Sequence, residues 1–286
     1  MGYDYGRMRR LSADIRIETI RALAAAGYGH IGGSMSIADA LGALYGGLMN
    51  IRPEDPDWEE RDFLVLSKGH CGPALYAALA LLGYFPVEEL KTVNQGGTRL
   101  PSHCDRLRTP GVDMSTGSLG QGMSSAEGIA LGNRLKGLSS YTYCILGDGE
   151  CQEGQVWEGA ELAAQLKLDH FIVLVDYNKK QLDGSVDAVR TGQDLAEKWR
   201  AFGWHAERVP GWDAREIAEA IDRAKAAHDM PSVILLDTLK GLGADFAEAA
   251  AFNHYMVISP EMADAAIREI ERRFSVGAFP RGDVRW

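Results

Sequence analysis

The sequence predicts an α/β protein with a doubly wound, mostly parallel sheet and helices on both faces. Three observations predict this class. Short apolar runs typical of buried strands alternate with longer stretches of helical periodicity. The clearest case is residues 141–178, where two apolar runs flank one amphipathic helix, as in a parallel strand–helix–strand unit. No linker is evident in the 286 residues, so we expect a single domain over residues 1–286.

The first half of the chain is predicted to place helices and loops around one buried strand. Its elements are, in order, a helix over 7–26 that stops at Gly27, a glycine-dense loop over 27–34, a helix bearing Ile37 to Leu48, a polar loop over 50–62, a strand over 63–66 and a helix after His70. Residues 94–116 are irregular, and a glycine-rich loop over 117–122 leads into a small-residue helix.

The second half of the chain continues the alternation. Its elements are a strand over 141–146, a helix with Val156 and Ala160 on one face, a strand over 171–175, a polar loop over 179–193, a short helix over 194–202, a weak strand near Trp204, a helix capped by Asp213, a strand over 233–236 and a last helix capped by Ser259. The tail, residues 275–286, has no periodicity and is expected to be an ordered loop or a partner contact.

Composition excludes several classes of function. The net charge of −10 and the pI of about 5.2 argue against nonspecific nucleic-acid binding, which requires an excess of Lys and Arg. No apolar run reaches the length of a membrane span, and the N-terminus has no apolar signal core. The four cysteines form no CxxC pair that would indicate a zinc site. We therefore expect a soluble cytoplasmic protein.

Two oxygen-bearing side chains follow the two strands of the central unit. Asp148 lies in Gly147-Asp148-Gly149 after the first strand, and Asn178 follows the second. Ligands of parallel sheets bind at the carboxyl ends of strands, and these oxygens suit Mg²⁺ or Ca²⁺ together with phosphates. Taken alone, Gly-Asp-Gly is more often a simple turn. The strand before it and the Asn after the next strand favour a metal and phosphate site.

Four histidines lie in predicted loops rather than on apolar helix faces: His30, His70, His103 and His254. A single loop histidine is more often a solvated side chain. His70 and residues 117–122 also precede helices, whose N-termini favour anions, although small residues there also serve close helix packing. From the residues alone, Glu153 and Glu158 are interpreted as solvated.

Several motifs in one order resemble the thiamine-diphosphate-binding half of transketolases. They are Gly29-His30-Ile31-Gly32-Gly33-Ser34, Ser67-Lys68-Gly69-His70, Thr109-Pro110-Gly111-Val112-Asp113, Ser115-Thr116-Gly117-Ser118-Leu119-Gly120-Gln121-Gly122, and Gly147-Asp148-Gly149-Glu150 followed by Asn178. The resemblance covers nearly the whole chain. It implies thiamine diphosphate as cofactor, with Mg²⁺ or Ca²⁺.

The resemblance also implies roles for individual residues. The metal ligands would be Asp148, Asn178 and the main-chain oxygen of Lys180. The other cofactor contacts would be His70, Gly149, Lys240, His254 and the loop Gly117-Ser118-Leu119. His30 and His103 would bind the substrate and move protons, and Glu153 and Glu158 would link paired active sites across a dimer.

The resemblance implies transfer of a two-carbon ketol unit from a ketose, or a ketose phosphate, to an aldose acceptor. In full-length transketolases a second domain supplies the glutamate that protonates the cofactor's pyrimidine ring. The expectation is therefore an N-terminal subunit of a split transketolase, in a heterotetramer with a separate pyrimidine-binding subunit.

The sequence departs from the family pattern at several positions. Ile31 replaces a usual proline, Ser102-His103-Cys104 replaces Gly-His-Pro, Asn253 stands where tryptophan is common, and residues 246–252 are unusually apolar. These changes favour a dedicated ketose or acceptor. Two alternatives remain at this stage, which are the α subunit of a 2-oxo acid dehydrogenase and a non-catalytic cofactor-binding or scaffold subunit. His30, His70 and His103 favour the transketolase interpretation.

Overall fold

A five-stranded parallel sheet organises the protein, whose computed structural model describes residues 2–190 and 194–275. In chain order the strands are β1 (Tyr28–Gly29), β2 (Phe63–Leu66), β3 (Thr142–Gly147), β4 (Phe171–Tyr177), β5 (Lys180–Gln181), β6 (Gly184–Ser185), β7 (His205–Pro210), β8 (Ser232–Asp237) and β9 (Met256–Val257). The large sheet has the order β2-β3-β4-β8-β7, while β1 pairs with β9 and β5 with β6 as antiparallel ribbons.

Eleven α-helices are found in the described ranges. They are α1 (Tyr5–Ala26), α2 (Ile31–Ser36), α3 (Ala38–Ala43), α4 (Gly72–Leu81), α5 (Gln121–Leu135), α6 (Gly154–Gln165), α7 (Val186–Val189), α8 (Leu195–Ala201), α9 (Ala214–Lys225), α10 (Asp245–Glu248) and α11 (Pro260–Ser275). Short 3₁₀ turns span Gly69–Cys71, Val87–Thr92 and Glu150–Gln152, and a π turn, Leu44–Leu48, extends α3.

Helices cover both faces of the large sheet. Side chains of a strand alternate between its faces, so Tyr143 and Ile145 pack into the core beneath α3, α4 and α9. Cys144 and Leu146 instead pack into a second core beneath α5, α6 and α8. The apolar runs are therefore buried on both sides, and the predicted doubly wound parallel α/β class is confirmed.

Two predicted loops contain regular structure. The segment 27–34 includes β1 and the start of α2, because Gly27 ends α1 at a positive φ of 83° and the chain then pairs with β9. The segment 179–193 includes the β5–β6 hairpin and α7, with residues 191–193 outside the described range. Pairing between distant segments created β1, which local periodicity does not reveal.

The capping predictions hold at two helices. The Asp213 carboxylate accepts the Arg215 amide at the start of α9. The Ser259 hydroxyl accepts the Met262 amide at 3.3 Å at the start of α11. The predicted tail over 275–286 lies outside the described residues except for Ser275 itself. Throughout residues 2–190 and 194–275, every helix is too short or too polar to cross a bilayer.

Candidate active site

A cavity of about 390 Å³ opens at the carboxyl edge of the large sheet. Residues that follow β3 and β4 form its floor, and segments carrying four of the seven histidines form its wall. All of the residues predicted from the sequence to be functional line this cavity except Ser118 and Glu158. This location agrees with the general position of ligands in open parallel sheets.

The register of β3 and β4 brings Asp148 and Asn178 together. Gly147 at the end of β3 pairs with Asp176 in β4, so Asp148 follows one strand end and Asn178 the other. Both residues are nearly buried, with exposed fractions of 4% and 6%. The predicted pair of oxygen-bearing side chains thus shares one position at the cavity floor.

Main-chain amides fix the two side chains of the floor. The Asp148 carboxylate accepts hydrogen bonds from the amides of Gly149, at 2.7 Å, and Lys179. The Asn178 side-chain oxygen accepts one from the amide of Lys180 at 3.0 Å. Carboxylate and amide oxygens have further lone pairs, so these bonds orient the groups without exhausting them as acceptors.

The electrostatics of the floor favour a cation. Burial raises the pKa of Asp148 to about 7, and the negative charge of Asp176 adds to the rise. Hydrogen bonds from the Lys179 and Gly149 amides oppose it. A divalent cation bound here would stabilise the carboxylate form, because opposite charge close to a carboxylate lowers its pKa.

The predicted metal ligands fit a hard divalent ion. They offer one carboxylate from Asp148, one amide oxygen from Asn178 and the carbonyl of Lys180, which Lys240 Nζ contacts at 3.1 Å. Mg²⁺ usually completes such a shell with water and phosphate oxygens. Throughout residues 2–190 and 194–275 there is no group of three or more His, Cys, Asp and Glu residues that could hold a metal.

The four predicted histidines converge on one wall of the cavity. The His30 ring centroid lies 5.6 Å from that of His70, 5.4 Å from that of His103 and 5.2 Å from that of His254. The rings of His70 and His254 are 4.7 Å apart. His30 is therefore the centre of a cluster that four distant segments of the chain assemble.

All four imidazoles are shifted towards the neutral form. Burial lowers the pKa of His30 to about 4, with His103 and Lys240 adding to the shift. Burial and the Lys240 ammonium lower the pKa of His254 to about 4. Burial also lowers the pKa of His70 and of His103. At neutral pH each ring thus offers one N–H donor and one acceptor nitrogen, which suits hydrogen bonds to hydroxyl and carbonyl groups.

Asn253 holds together the segment that carries Lys240 and His254 through side-chain hydrogen bonds. It is 2% exposed, and its amide nitrogen donates to the carbonyls of Lys240 at 2.9 Å and Ala247 at 2.8 Å. Lys240 Nζ lies 3.3 Å from His254 Nδ1. The residue that departs from the family pattern thus anchors two predicted cofactor contacts to the wall.

Gly117 brings the glycine-rich loop against a histidine of the wall. Its φ is 147°, and a Cβ there would lie 3.0 Å from Cδ2 of His103. Leu119 also lines the cavity, but Ser118 does not. The loop thus meets the predicted cofactor position through two of its three residues.

Glu153 and Glu158 occupy different places. Glu153 precedes α6 with extended backbone and lines the cavity, whereas Glu158 lies within α6 and outside the cavity. Both side chains are exposed. Their role between paired sites stays a prediction.

Sequence reasoning missed several residues of the cavity, of which Lys68, Glu150, Gln181 and Leu182 are examples. A charged residue at the end of a buried strand, such as Lys68, signals a buried polar partner and could have been noticed. Gln181 and Leu182 belong to the β5–β6 hairpin region, for which the local sequence shows no distinct signal.

The parallel sheet and the polar cavity at its carboxyl edge are the arrangement in which open α/β proteins bind their ligands. Over residues 8–276 the chain matches the family model described as transketolase, thiamine diphosphate binding domain. The chain therefore belongs to the transketolase family. The predicted family is confirmed.

Relatives named as transketolase subunits match the chain in length. It is 52% identical over 258 residues to the 6-deoxy-6-sulfo-D-fructose transketolase subunit of Clostridium sp. (strain MSTE9), covering 90% of this chain and 94% of the relative. It is 33% identical over 245 residues to an apulose-4-phosphate transketolase subunit of Phocaeicola vulgatus, covering 86% and 87%. The chain is thus a subunit-length member of a family of transketolase-type transferases.

Solved transketolases share the fold but are longer. A transketolase variant from Pichia stipitis superposes with a TM-score of 0.86 at 33% identity, covering 93% of this chain and 40% of that one. The transketolase of Leishmania mexicana gives a TM-score of 0.86 at 31% identity, covering 94% and 41%. The chain therefore spans about two fifths of these proteins, and the predicted fold type is confirmed.

Proposed function

We propose that the chain is the thiamine-diphosphate-binding subunit of a transketolase that transfers a two-carbon ketol unit from a ketose to an aldose. One observation carries the proposal. Four neutral histidines and the Asp148–Asn178 pair, from separate segments, face the same cavity. A protein that used this site only for packing would have no reason to gather such groups, since burying polar side chains is unfavourable.

We assign residues 1–286 to one cofactor-binding domain, and we place a divalent metal ion at its floor. Asp148, Asn178 and the Lys180 carbonyl would hold Mg²⁺ or Ca²⁺, and the ion would bind the diphosphate. His70, Gly149, Lys240 and His254 adjoin this position and would contact the same phosphates. Lys240 supplies positive charge, while the imidazoles donate hydrogen bonds.

When bound, thiamine diphosphate supplies the nucleophilic carbon and accepts the electron pair of the broken carbon–carbon bond. The residues of this chain orient the substrate. His30 and His103, as neutral rings at the cavity wall, can each donate a hydrogen bond to one substrate oxygen and accept a proton from another. Gly117 and Leu119 would meet the cofactor's organic part.

We propose that a separate pyrimidine-binding subunit completes the site, in a cytoplasmic heterotetramer of two chains of each kind. The support is that relatives of the same length are named as subunits, whereas single-chain transketolases are more than twice as long. Glu153, at the start of α6, and Glu158, within α6, are both exposed and are candidates for contacts between paired sites. The partner would supply the remaining groups that bind the sugar.

We propose 6-deoxy-6-sulfo-D-fructose as the first donor to test. The support is the 52% identity to a relative that is named for this substrate. A ketose phosphate is the natural comparison, because it presents an anionic group of similar size at the same end of the sugar.

The experiment is a donor assay on the chain purified with and without its candidate partner. We expect aldose-dependent consumption of a ketose only with both chains, thiamine diphosphate and Mg²⁺ present. The His103→Ala complex should retain the cofactor and lose turnover. Full turnover by the lone chain would contradict the split site. Unchanged turnover in the His103→Ala complex would favour a non-catalytic role, and transfer of an acyl group to a lipoyl arm would favour the dehydrogenase alternative.

A further inference from the structure

At the cavity floor lies a buried polar cluster, here called the Asp176 cluster, formed by Ser36, Lys68, Asp176 and Asn178. None of its members is more than 6% exposed, and Asp176 is 0% exposed. Each comes from a different place in the fold: the end of α2, the turn after β2, strand β4 and the residue directly after β4. Only Asn178 was predicted from the sequence to be functional.

One oxygen of Asp176 accepts hydrogen bonds from the other three members of the cluster. Oδ2 of Asp176 accepts from Ser36 Oγ at 2.7 Å, from Asn178 Nδ2 at 2.8 Å and from Lys68 Nζ. Lys68 Nζ also donates to the Gly33 carbonyl at 3.3 Å. The other carboxylate oxygen, Oδ1, is buried without a hydrogen-bond partner in residues 2–190 and 194–275. Burying an ion pair brings little net stability, so a positional role is the stronger explanation.

The hydrogen bonds determine which way the Asn178 amide faces. A carboxylate only accepts hydrogen bonds, so the amide group nearest Asp176 must be the nitrogen. The amide oxygen is then directed away from Asp176 and accepts the Lys180 amide at 3.0 Å. A flipped amide would place oxygen against the carboxylate oxygen and would present N–H groups, which repel a metal ion, in place of the ligand oxygen.

We propose that Asp176, paired with Lys68, is a positioning residue that fixes the Asn178 amide with its oxygen available to the metal ion. The inference rests on the proposed function, because it needs a metal at the cavity floor. It goes further by assigning an orienting role to two buried residues that do not themselves contact the metal. An asparagine at position 176 would remove the restriction, since its amide can accept or donate.

The test compares three variants in the complex with the partner, using calorimetric titration of thiamine diphosphate in the presence of Mg²⁺ and thermal unfolding of each metal-free sample. Asp176→Asn should weaken the Mg²⁺-dependent affinity by about 10–100-fold, the usual effect of losing a group that orients a metal ligand. Ser36→Ala is the matched control, since it removes one hydrogen bond to the same carboxylate but leaves the bond from Asn178 Nδ2 to Asp176 Oδ2 in place. It should bind within about threefold of the wild type.

The third variant exchanges the two side chains, Asp176→Asn with Asn178→Asp, and so keeps composition and charge. A carboxylate at position 178 presents an oxygen in either orientation, and the new amide at 176 can donate to it. We expect recovery to within about fivefold of wild-type affinity. Because it presents a ligand oxygen in either orientation without restoring the original carboxylate at position 176, this rescue separates the orientation of the ligand from a general loss of structure.

Different results would overturn the positioning role of Asp176 and the metal site itself. Wild-type affinity in Asp176→Asn, or no recovery in the exchanged variant while it melts like the wild type, would overturn the positioning role. If Asp176→Asn fails to fold, the exchanged variant alone decides by the same criterion. If the wild type itself binds thiamine diphosphate without needing Mg²⁺, the metal site of the proposed function fails first, and the two failures are thus distinguishable.

Discussion

The floor and the wall of the cavity are built in different ways. At the floor, Asp148 and Asn178 follow adjacent parallel strands and are no more than 6% exposed. At the wall, His254 lies between Phe252 and Tyr255, which are 75% and 47% exposed, on a segment held by side-chain hydrogen bonds. Strand register positions the floor, whereas contacts between distant loops position the wall. The comparison indicates that the position of the floor follows from the sheet, whereas the position of the wall depends on a few side-chain hydrogen bonds.

The largest effect is expected at the wall, on turnover. Replacing His103 with Ala should lower kcat by about 10²–10⁴, the range for losing one proton-transferring group. Cofactor affinity should stay within about threefold because the floor is untouched. Steady-state kinetics and calorimetry on the complex measure both. The matched control is His228→Ala, since His228 is exposed and lies outside the cavity. Equal losses of turnover and cofactor affinity would remove the distinction between floor and wall.

The next effect concerns the bonds that hold the wall. Asn253→Ala removes the donor to two buried carbonyls, so the free energy of unfolding should fall by about 1–3 kcal/mol. Because Lys240 and His254 lose their anchor, cofactor affinity should weaken by about tenfold. Urea unfolding and calorimetry provide the measurements. The exposed Asn50→Ala serves as control. An Asn253→Ala protein with wild-type stability would show that the segment is held by its apolar contacts instead.

The floor of the cavity could be predicted from the sequence more fully than the wall. Asp148 and Asn178 were correctly placed together because adjacent parallel strands end at the same edge. The residue pattern marked the four histidines only as loop residues, and the family resemblance gave them roles. The contact between His30 and His254 follows the pairing of β1 with β9, a ribbon of two residues per strand that has no periodic signal. The predicted strand ended at residue 175, so Asp176 was given no role, whereas β4 continues to Tyr177 and Asp176 pairs with the buried Lys68.

The wall should also contribute to the acid sensitivity of the chain. His30 and His254 have a pKa of about 4 when folded, below the usual value of 6.5. The unfolded chain therefore binds protons first as the pH falls, and stability is lost between about pH 7 and pH 4. Each histidine should account for roughly 1 kcal/mol between pH 8 and pH 5, after allowing for its partial exposure.

The double variant His30→Gln with His254→Gln tests whether these two histidines cause stability to fall as the pH falls. Urea unfolding of the cofactor-free chain at pH 8 and pH 5 should show a smaller loss of stability in the variant than in the wild type. His228→Gln is the control and should keep the wild-type dependence, because that side chain is exposed. The same pH dependence in all three proteins would mean that the wall histidines titrate as they do in the unfolded chain.

The smallest effect on stability is expected at Phe252, an exposed residue of the wall segment. Phe252 is 75% exposed, so Phe252→Ser should change the free energy of unfolding by less than about 0.5 kcal/mol. If the partner subunit covers the open wall, the affinity of the Phe252→Ser variant for that subunit should fall severalfold. Chemical unfolding and a two-chain binding assay give the two values, with the exposed Met230→Ser as control. A large loss of stability would place Phe252 in the fold rather than in an interface.

The central claim is that the floor binds thiamine diphosphate through a divalent ion held by Asp148 and Asn178. Its most direct test is calorimetric titration of thiamine diphosphate into the two-chain complex, with Mg²⁺ or with a chelator, for the wild type and for Asp148→Ala. We predict binding that requires Mg²⁺ and weakens by about 100-fold or more in the variant. Binding that is the same with chelator present and in Asp148→Ala would contradict the account.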